Sequence, residues 1–273
     1  MSKPTPGVLG DFNFIARPAS GPVIVFLHGI GSNATSFSAL FEFLPINFSL
    51  LAWNAPGYLA STPLEKDWPL AADYAEKLSE LVNGLGYGSV HLVGHSLGAL
   101  IAAAFARRNA DRLKSLTLVS AAAGYGVPAG GTMPAGVQDR LLDLERLGPA
   151  AFARARASNL IYQPERYPEL VHRVESAMMQ INPKGYAQAV RMLASGNLCN
   201  DLAHVALRPG FIIGLQDTIT PLAQTMTAAK AWNTRDPVRP IVTQIEGAGH
   251  AVYLQSPEAF CAALLDHIGL PAA

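Results

Sequence analysis

The pentapeptide Gly94-His-Ser-Leu-Gly98 sets a serine between two glycines directly after the apolar run 90–93. A serine hydroxyl attacks a carbonyl well only when a base takes its proton and an acid orients that base. Of the seven histidines, His250 follows a strand through the loop Glu246-Gly-Ala-Gly249 and so stands at a strand's carboxyl end. Asp217 stands likewise in Gly214-Leu-Gln-Asp-Thr-Ile-Thr-Pro221. Functional groups of a doubly wound sheet gather at such ends. The chain order Ser96, Asp217, His250 is the order that accompanies a nucleophile on a sharp strand-to-helix turn. Oxyanion donors are expected from the backbone N–H of Leu97, next to the serine, and of Ile30 in Leu27-His-Gly-Ile-Gly-Ser32. The chemistry these groups suit is acyl transfer through a serine ester.

Other residues fit these roles less well. His28 belongs to the oxyanion turn, and His91 lies inside a strand, where packing or a local bond is expected. His172, His204 and His267 fall on helices or helix ends, where a surface role is the default. Glu246 is close to His250 in sequence but should point elsewhere. The turn Ser120-Ala-Ala-Ala-Gly124 offers no carboxylate. Gly84-Leu-Gly86-Tyr-Gly88 closes a helix and precedes a strand, the reverse of a dinucleotide-binding turn, and reads as a helix cap.

The elements that hold these turns are legible as short apolar runs. Val23–Leu27, 50–53, 90–93, 116–119, 211–213 and Ile241–Ile245 are continuous rather than alternating, as buried parallel strands are. Helical spacing separates most of them. Residues 69–85 carry an apolar face, and Leu97–Arg108 is apolar nearly all round, hence a buried helix. A last helix has Ser256 as N-cap, Pro257 at its first position and Gly269 past its end. Alternating strands and helices predict an α/β fold with helices on both faces of the sheet. From about Gly124 to Val205 the alternation stops, and helical patterns cover 137–147, 149–160, 169–181 and 186–194. That stretch reads as a helical insertion over one end of the sheet.

Composition narrows the function classes. The chain of 273 residues is half hydrophobic and 15% charged, enough for one large domain with an insertion. Its apolar runs are too short to span a bilayer, and residues 1–10 have no apolar secretory core. Zero formal charge argues against nucleic acid. Cys199 and Cys261 make no disulfide framework, and Cys261 is expected in the core, which fits a cytoplasmic protein. The expected partner is a small-molecule substrate, without membrane or nucleic acid, and a homodimer is the default assembly.

Together, Leu27-His-Gly-Ile-Gly31, Asn54-Ala-Pro-Gly-Tyr58, Gly94-His-Ser-Leu-Gly98, residues 202–221 and Gly247-Ala-Gly-His250 resemble the α/β-hydrolase superfamily over nearly the whole chain. The resemblance implies an α/β-hydrolase fold: a mostly parallel eight-stranded sheet flanked by helices. It also implies an N-terminal antiparallel strand near 12–16 and a helical cap after the sixth strand. The core would then be 1–123 and 206–273, and the cap 124–205. The family pattern Asp-x-x-Gly-x-Gly-x-Ser is here Asn54-Ala-Pro-Gly-Tyr-Leu-Ala-Ser61, a change expected to alter loop packing rather than chemistry. Ser96 sets the chain apart from haloalkane dehalogenases and epoxide hydrolases, which carry Asp there.

The leading expectation is a serine hydrolase of carboxylic esters with small or medium acyl groups, using an acyl-enzyme and neither metal nor organic cofactor. Rivals on the same machinery are a lactonase and a carbon–carbon hydrolase of meta-cleavage products; the latter usually has Trp where this chain has Ala251. A rival of another class is a ligand-binding receptor that keeps the triad. Substrate choice is expected to rest with the insertion. His95, Tyr125, Tyr162, Met192 and Val252 are the candidate substrate-binding residues, beside Met133, Tyr167, Met178 and Met179 as pocket lining or core. Arg191 is a candidate anchor for a substrate carboxylate, weighed against a surface salt bridge.

Overall fold

The computed structural model describes residues 4–232 and 239–270. Eight strands form one sheet in the order β1-β2-β4-β3-β5-β6-β7-β8. They are β1 (Thr5–Leu9), β2 (Phe12–Arg17), β3 (Val23–Leu27), β4 (Ser49–Trp53), β5 (Val90–His95), β6 (Leu113–Val119), β7 (Pro209–Gly214) and β8 (Ile241–Ile245). β2 runs antiparallel to both β1 and β4, and every other pairing is parallel. β2 is the antiparallel strand expected near 12–16. β1 was not expected: it is a largely exposed edge strand carrying Pro6 and Gly7, so it lacks the apolar run by which buried strands are read.

The helices are α1 (Leu40–Phe43), α2 (Ala71–Gly84), α3 (Leu97–Arg108), α4 (Ala135–Arg156), α5 (Pro168–Met178), α6 (Pro183–Ser195), α7 (Leu198–Leu202), α8 (Leu222–Ala231), α9 (Val252–Gln255) and α10 (Pro257–His267). Two cores flank the sheet because strand side chains alternate between its faces. Val25, Leu27, Leu51 and Trp53 pack with α2 and α3, whereas Ile24, Phe26, Leu50 and Ala52 pack with α1 and α10. Both faces being covered, the central strands need no polar side, which is why they read as continuous apolar runs. Ser256 occupies the N-cap position of α10 but makes no capping bond; Pro257 at the first position is what marks the start.

Between β6 and β7 the chain is helical. The two expected patterns at 137–147 and 149–160 form one run, α4, broken at Gly148, whose φ of 70° precedes Pro149. Asn182 caps α6 by accepting from the Lys184 and Gly185 N–H groups. α4 packs on α5 and α6, while α7 packs on α3 and α8. Among the described residues no helix is long and apolar enough to cross a membrane.

Candidate active site

Ser96 stands between the end of β5 and the start of α3 with φ 51° and ψ −113°. L-residues avoid this conformation, and it is held by three backbone bonds. The Ser96 N–H donates to the Val119 carbonyl at 2.9 Å, and its carbonyl accepts from Ala99 and Ala122, each at 3.1 Å. The flanking glycines are required by close approach. A Cβ on Gly94 would lie 2.5 Å from the Gly98 oxygen, and one on Gly98 would lie 2.4 Å from the Leu27 oxygen. The turn therefore fixes its residue types through backbone contacts.

Asp217 lies in the turn after β7. Its Oδ1 accepts from the Ile219 and Thr220 N–H groups at 2.8 and 2.9 Å, and its Oδ2 accepts from the Thr220 hydroxyl at 2.8 Å. The same Oδ2 is 2.9 Å from His250 Nδ1, so Nδ1 carries the hydrogen of this bond. Burial pushes the Asp217 carboxyl up, but the hydrogen bond and charge of His250, with the two Thr220 donors, outweigh it and hold it well below the carboxylate range. Asp217 is thus kept as the anion that orients the imidazole. Thr220 was missed by sequence reasoning. Its oxygen lies 3.2 Å from His250 Nδ1 and 3.0 Å from the Ser120 carbonyl, bracing acid and base together. The only signal for it was its place three residues beyond Asp217, where an Asp-led turn puts a hydroxyl.

Of the remaining histidines, exposed His172 lines the same cavity as His250, and His267, expected at the surface, is half-buried with Nε2 3.1 Å from the Thr243 hydroxyl. Buried His28 donates from Nδ1 to the Gly29 carbonyl at 2.9 Å and accepts at Nε2 from the Ala55 N–H at 3.1 Å. Burial lowers its pKa to about 4, so it is a neutral strut. His91 Nδ1 pairs with Ser115 Oγ at 2.8 Å, the local bond expected of it. His95 donates from Nε2 to the His250 carbonyl at 3.0 Å and stacks edge-on against Tyr253. Burial and the neighbouring His250 lower its pKa to about 3, so it too stays neutral. Glu246 is exposed, as expected.

A cavity of about 480 Å³ joins the strand-end turns to the insertion; Ser96, His250, Ile30 and Leu97 all line it. Ser96 and His250 line this one cavity together. Neither the Ile30 nor the Leu97 N–H is taken by a backbone carbonyl among the described residues, so both are available to an oxyanion.

The candidate substrate residues divide. His95 and Tyr125 line the cavity; Tyr162, Met192 and Val252 do not. The Tyr162 main chain is tied up instead, its N–H and carbonyl bonded to the Gln255 side chain at 2.8 and 3.0 Å. Met192 and Val252 are fully buried, one in each core. Arg191 reaches the Asp67 carbonyl at 2.9 Å on the surface, away from the cavity. The cations in the wall are Arg140, Arg156 and Arg173, none singled out by sequence, since an arginine on an amphipathic helix gives no sign of facing a cavity.

A model of the alpha/beta hydrolase family matches residues 24–263. A pimeloyl-[acyl-carrier protein] methyl ester esterase of Vibrio vulnificus is 27% identical over 263 residues, covering 91% of this chain and 95% of that one. Among solved structures, an esterase from Thermogutta terrifontis matches with a TM-score of 0.79 at 22% identity, covering 97% of each chain. An enol-lactonase from Burkholderia xenovorans matches with a TM-score of 0.82 at 19% identity, covering 97% of this chain and 100% of that one. At such identities the two structures speak for the fold.

Proposed function

The chain belongs to the α/β-hydrolase family and is a hydrolase, and on that premise we propose that it cleaves carboxylic esters through a Ser96–His250–Asp217 triad. The observation that carries this reading is His250, 2.9 Å from Asp217 behind it, lining the same cavity as a serine held at φ 51°. The likeness to a methyl ester esterase over nearly the full chain supports the choice of bond.

In this mechanism His250 Nε2 takes the Ser96 hydroxyl proton as Oγ attacks the ester carbonyl. The Ile30 and Leu97 N–H groups hold the resulting oxyanion, each donor being worth roughly 100–1,000-fold in rate. Collapse breaks the carbon–oxygen bond, and His250 returns the proton to the departing alcohol. A water then gives its proton to His250 and attacks the acyl-serine, releasing the acid and restoring Ser96. Asp217 stays ionised throughout and stabilises the imidazolium. The helices between β6 and β7 serve as the cap that sizes the acyl pocket.

Hydrolysis of p-nitrophenyl acetate, butyrate and octanoate tests the reading. Wild-type turnover should fall by about a thousandfold or more in Ser96→Ala, and the chain-length profile should favour small or medium acyl groups. Equal rates in the two proteins, or no steady turnover of any of the three, would overturn it.

A further inference from the structure

Three guanidiniums stand in the cavity wall of a chain whose formal charge is zero, and among the described residues no Asp or Glu lines that cavity with them. The nearest carboxylates are already committed. Asp143 pairs with Arg146 at 3.1 Å and Arg156 at 2.9 Å, and Glu175 pairs with Arg154 at 3.4 Å. Arg140 and Arg173 have no carboxylate partner among the described residues.

One of the three, Arg156, sits on a buried aromatic floor, and Arg140 shares the cavity wall with it. Arg156 lies 4.7 Å from the Phe152 ring centroid, and Phe152 packs edge-on against Tyr186 at 5.5 Å. Arg140 lines the cavity together with both rings. Both aromatic rings are at most 2% exposed and both line the cavity. A guanidinium fixed as Arg156 is keeps its fork oriented and loses little entropy when a planar anion arrives. Arg173, on the exposed surface of α5, stands by as the outermost cation.

We propose that this cavity takes esters that carry a free carboxylate remote from the scissile carbonyl, such as half-esters of dicarboxylic acids, with Arg140 and Arg156 binding that carboxylate. Arg173 draws the anion to the mouth. The proposal rests on the ester-hydrolase reading and adds the substrate's second functional group to it.

The test compares kcat/KM for monoethyl adipate, diethyl adipate and ethyl hexanoate at about pH 7.5, where the free carboxyl is ionised. The proteins are wild type, Arg140→Gln, Arg156→Gln and the surface control Arg191→Gln. Wild type should prefer the half-ester to both neutral esters by at least about tenfold. Arg140→Gln and Arg156→Gln should bring that ratio towards one, and Arg191→Gln should keep it. Arg140→Gln is the cleaner variant because Arg156 also holds Asp143. Ser96-dependent hydrolysis without a half-ester preference, or with one that survives both cavity substitutions, would overturn this proposal and leave the ester reading standing. Failure of every ester, p-nitrophenyl esters included, would remove both.

Discussion

Helices α3 and α4 each have glycine at the second position, and the two glycines answer to different constraints. Gly98 in α3 sits where the helix meets β3, and its missing Cβ leaves room for the Leu27 carbonyl. Gly136 in α4 is exposed and would meet nothing within 4 Å. The contrast extends to the regions around them. At the carboxyl edge of the sheet, backbone approaches backbone, and the residue types follow from that. In the helices between β6 and β7, side chains make most of the contacts and many residue types serve, although Gly185 of α6, whose Cβ would lie 2.0 Å from the Gly57 oxygen, is an exception.

Two substitutions sharpen the comparison most. Ala is the better helix former by roughly 1 kcal/mol, yet Gly98→Ala should cost about 1–3 kcal/mol of stability as the new Cβ meets the Leu27 oxygen. Gly136→Ala should gain about 0.5–1 kcal/mol by the ordinary propensity. Urea unfolding of both variants reads this directly, and equal signs would break the distinction. A smaller effect separates the histidines of the two regions. Buried His28 and His95 at the strand ends have pKa values lowered to about 4 and about 3, whereas His172 on α5 is exposed. Below pH 6.5 the unfolded chain takes up protons that the folded one refuses. Stability should therefore fall as pH drops from about 6.5 to about 4, by at most about 1.4 kcal/mol per pH unit for each buried histidine. Above 6.5 these two groups should contribute no slope. The depressed Asp217 carboxyl acts only below this window, where stability falls again as it protonates. A flat wild-type profile between pH 6.5 and 4 would contradict the burial argument.

The same division explains what the sequence disclosed. Ser96 and Asp217 were legible because each follows an apolar run that forms a buried strand, and because Gly94 and Gly98 admit no other side chain. His250 follows β8, which was expected buried but lies at the sheet's edge with only Ile245 buried. The proposed oxyanion donors, the Ile30 and Leu97 N–H groups, were reached by the same backbone logic. β1 escaped notice because an exposed edge strand needs no apolar signature. In the insertion, helices could be placed by periodicity, but periodicity separates only buried from exposed faces. A cavity wall is neither. Met192 and Val252 have the composition of a pocket and lie in cores, while Arg140 and Arg156 have the composition of a surface and line the cavity. Thr220 is a third kind of omission, a hydroxyl whose role exists only once Asp217 and His250 are brought together.

The central claim is that Ser96 is the nucleophile, and stoichiometric labelling with a fluorophosphonate tests it most directly. Attack by an activated serine forms a phosphorus–oxygen bond and expels fluoride, leaving a stable adduct that mass spectrometry can place on a peptide. The account predicts one adduct per chain, on the peptide containing Ser96, with ester hydrolysis lost in proportion to labelling. An adduct on another residue, or hydrolysis that persists once Ser96 is fully labelled, would contradict it.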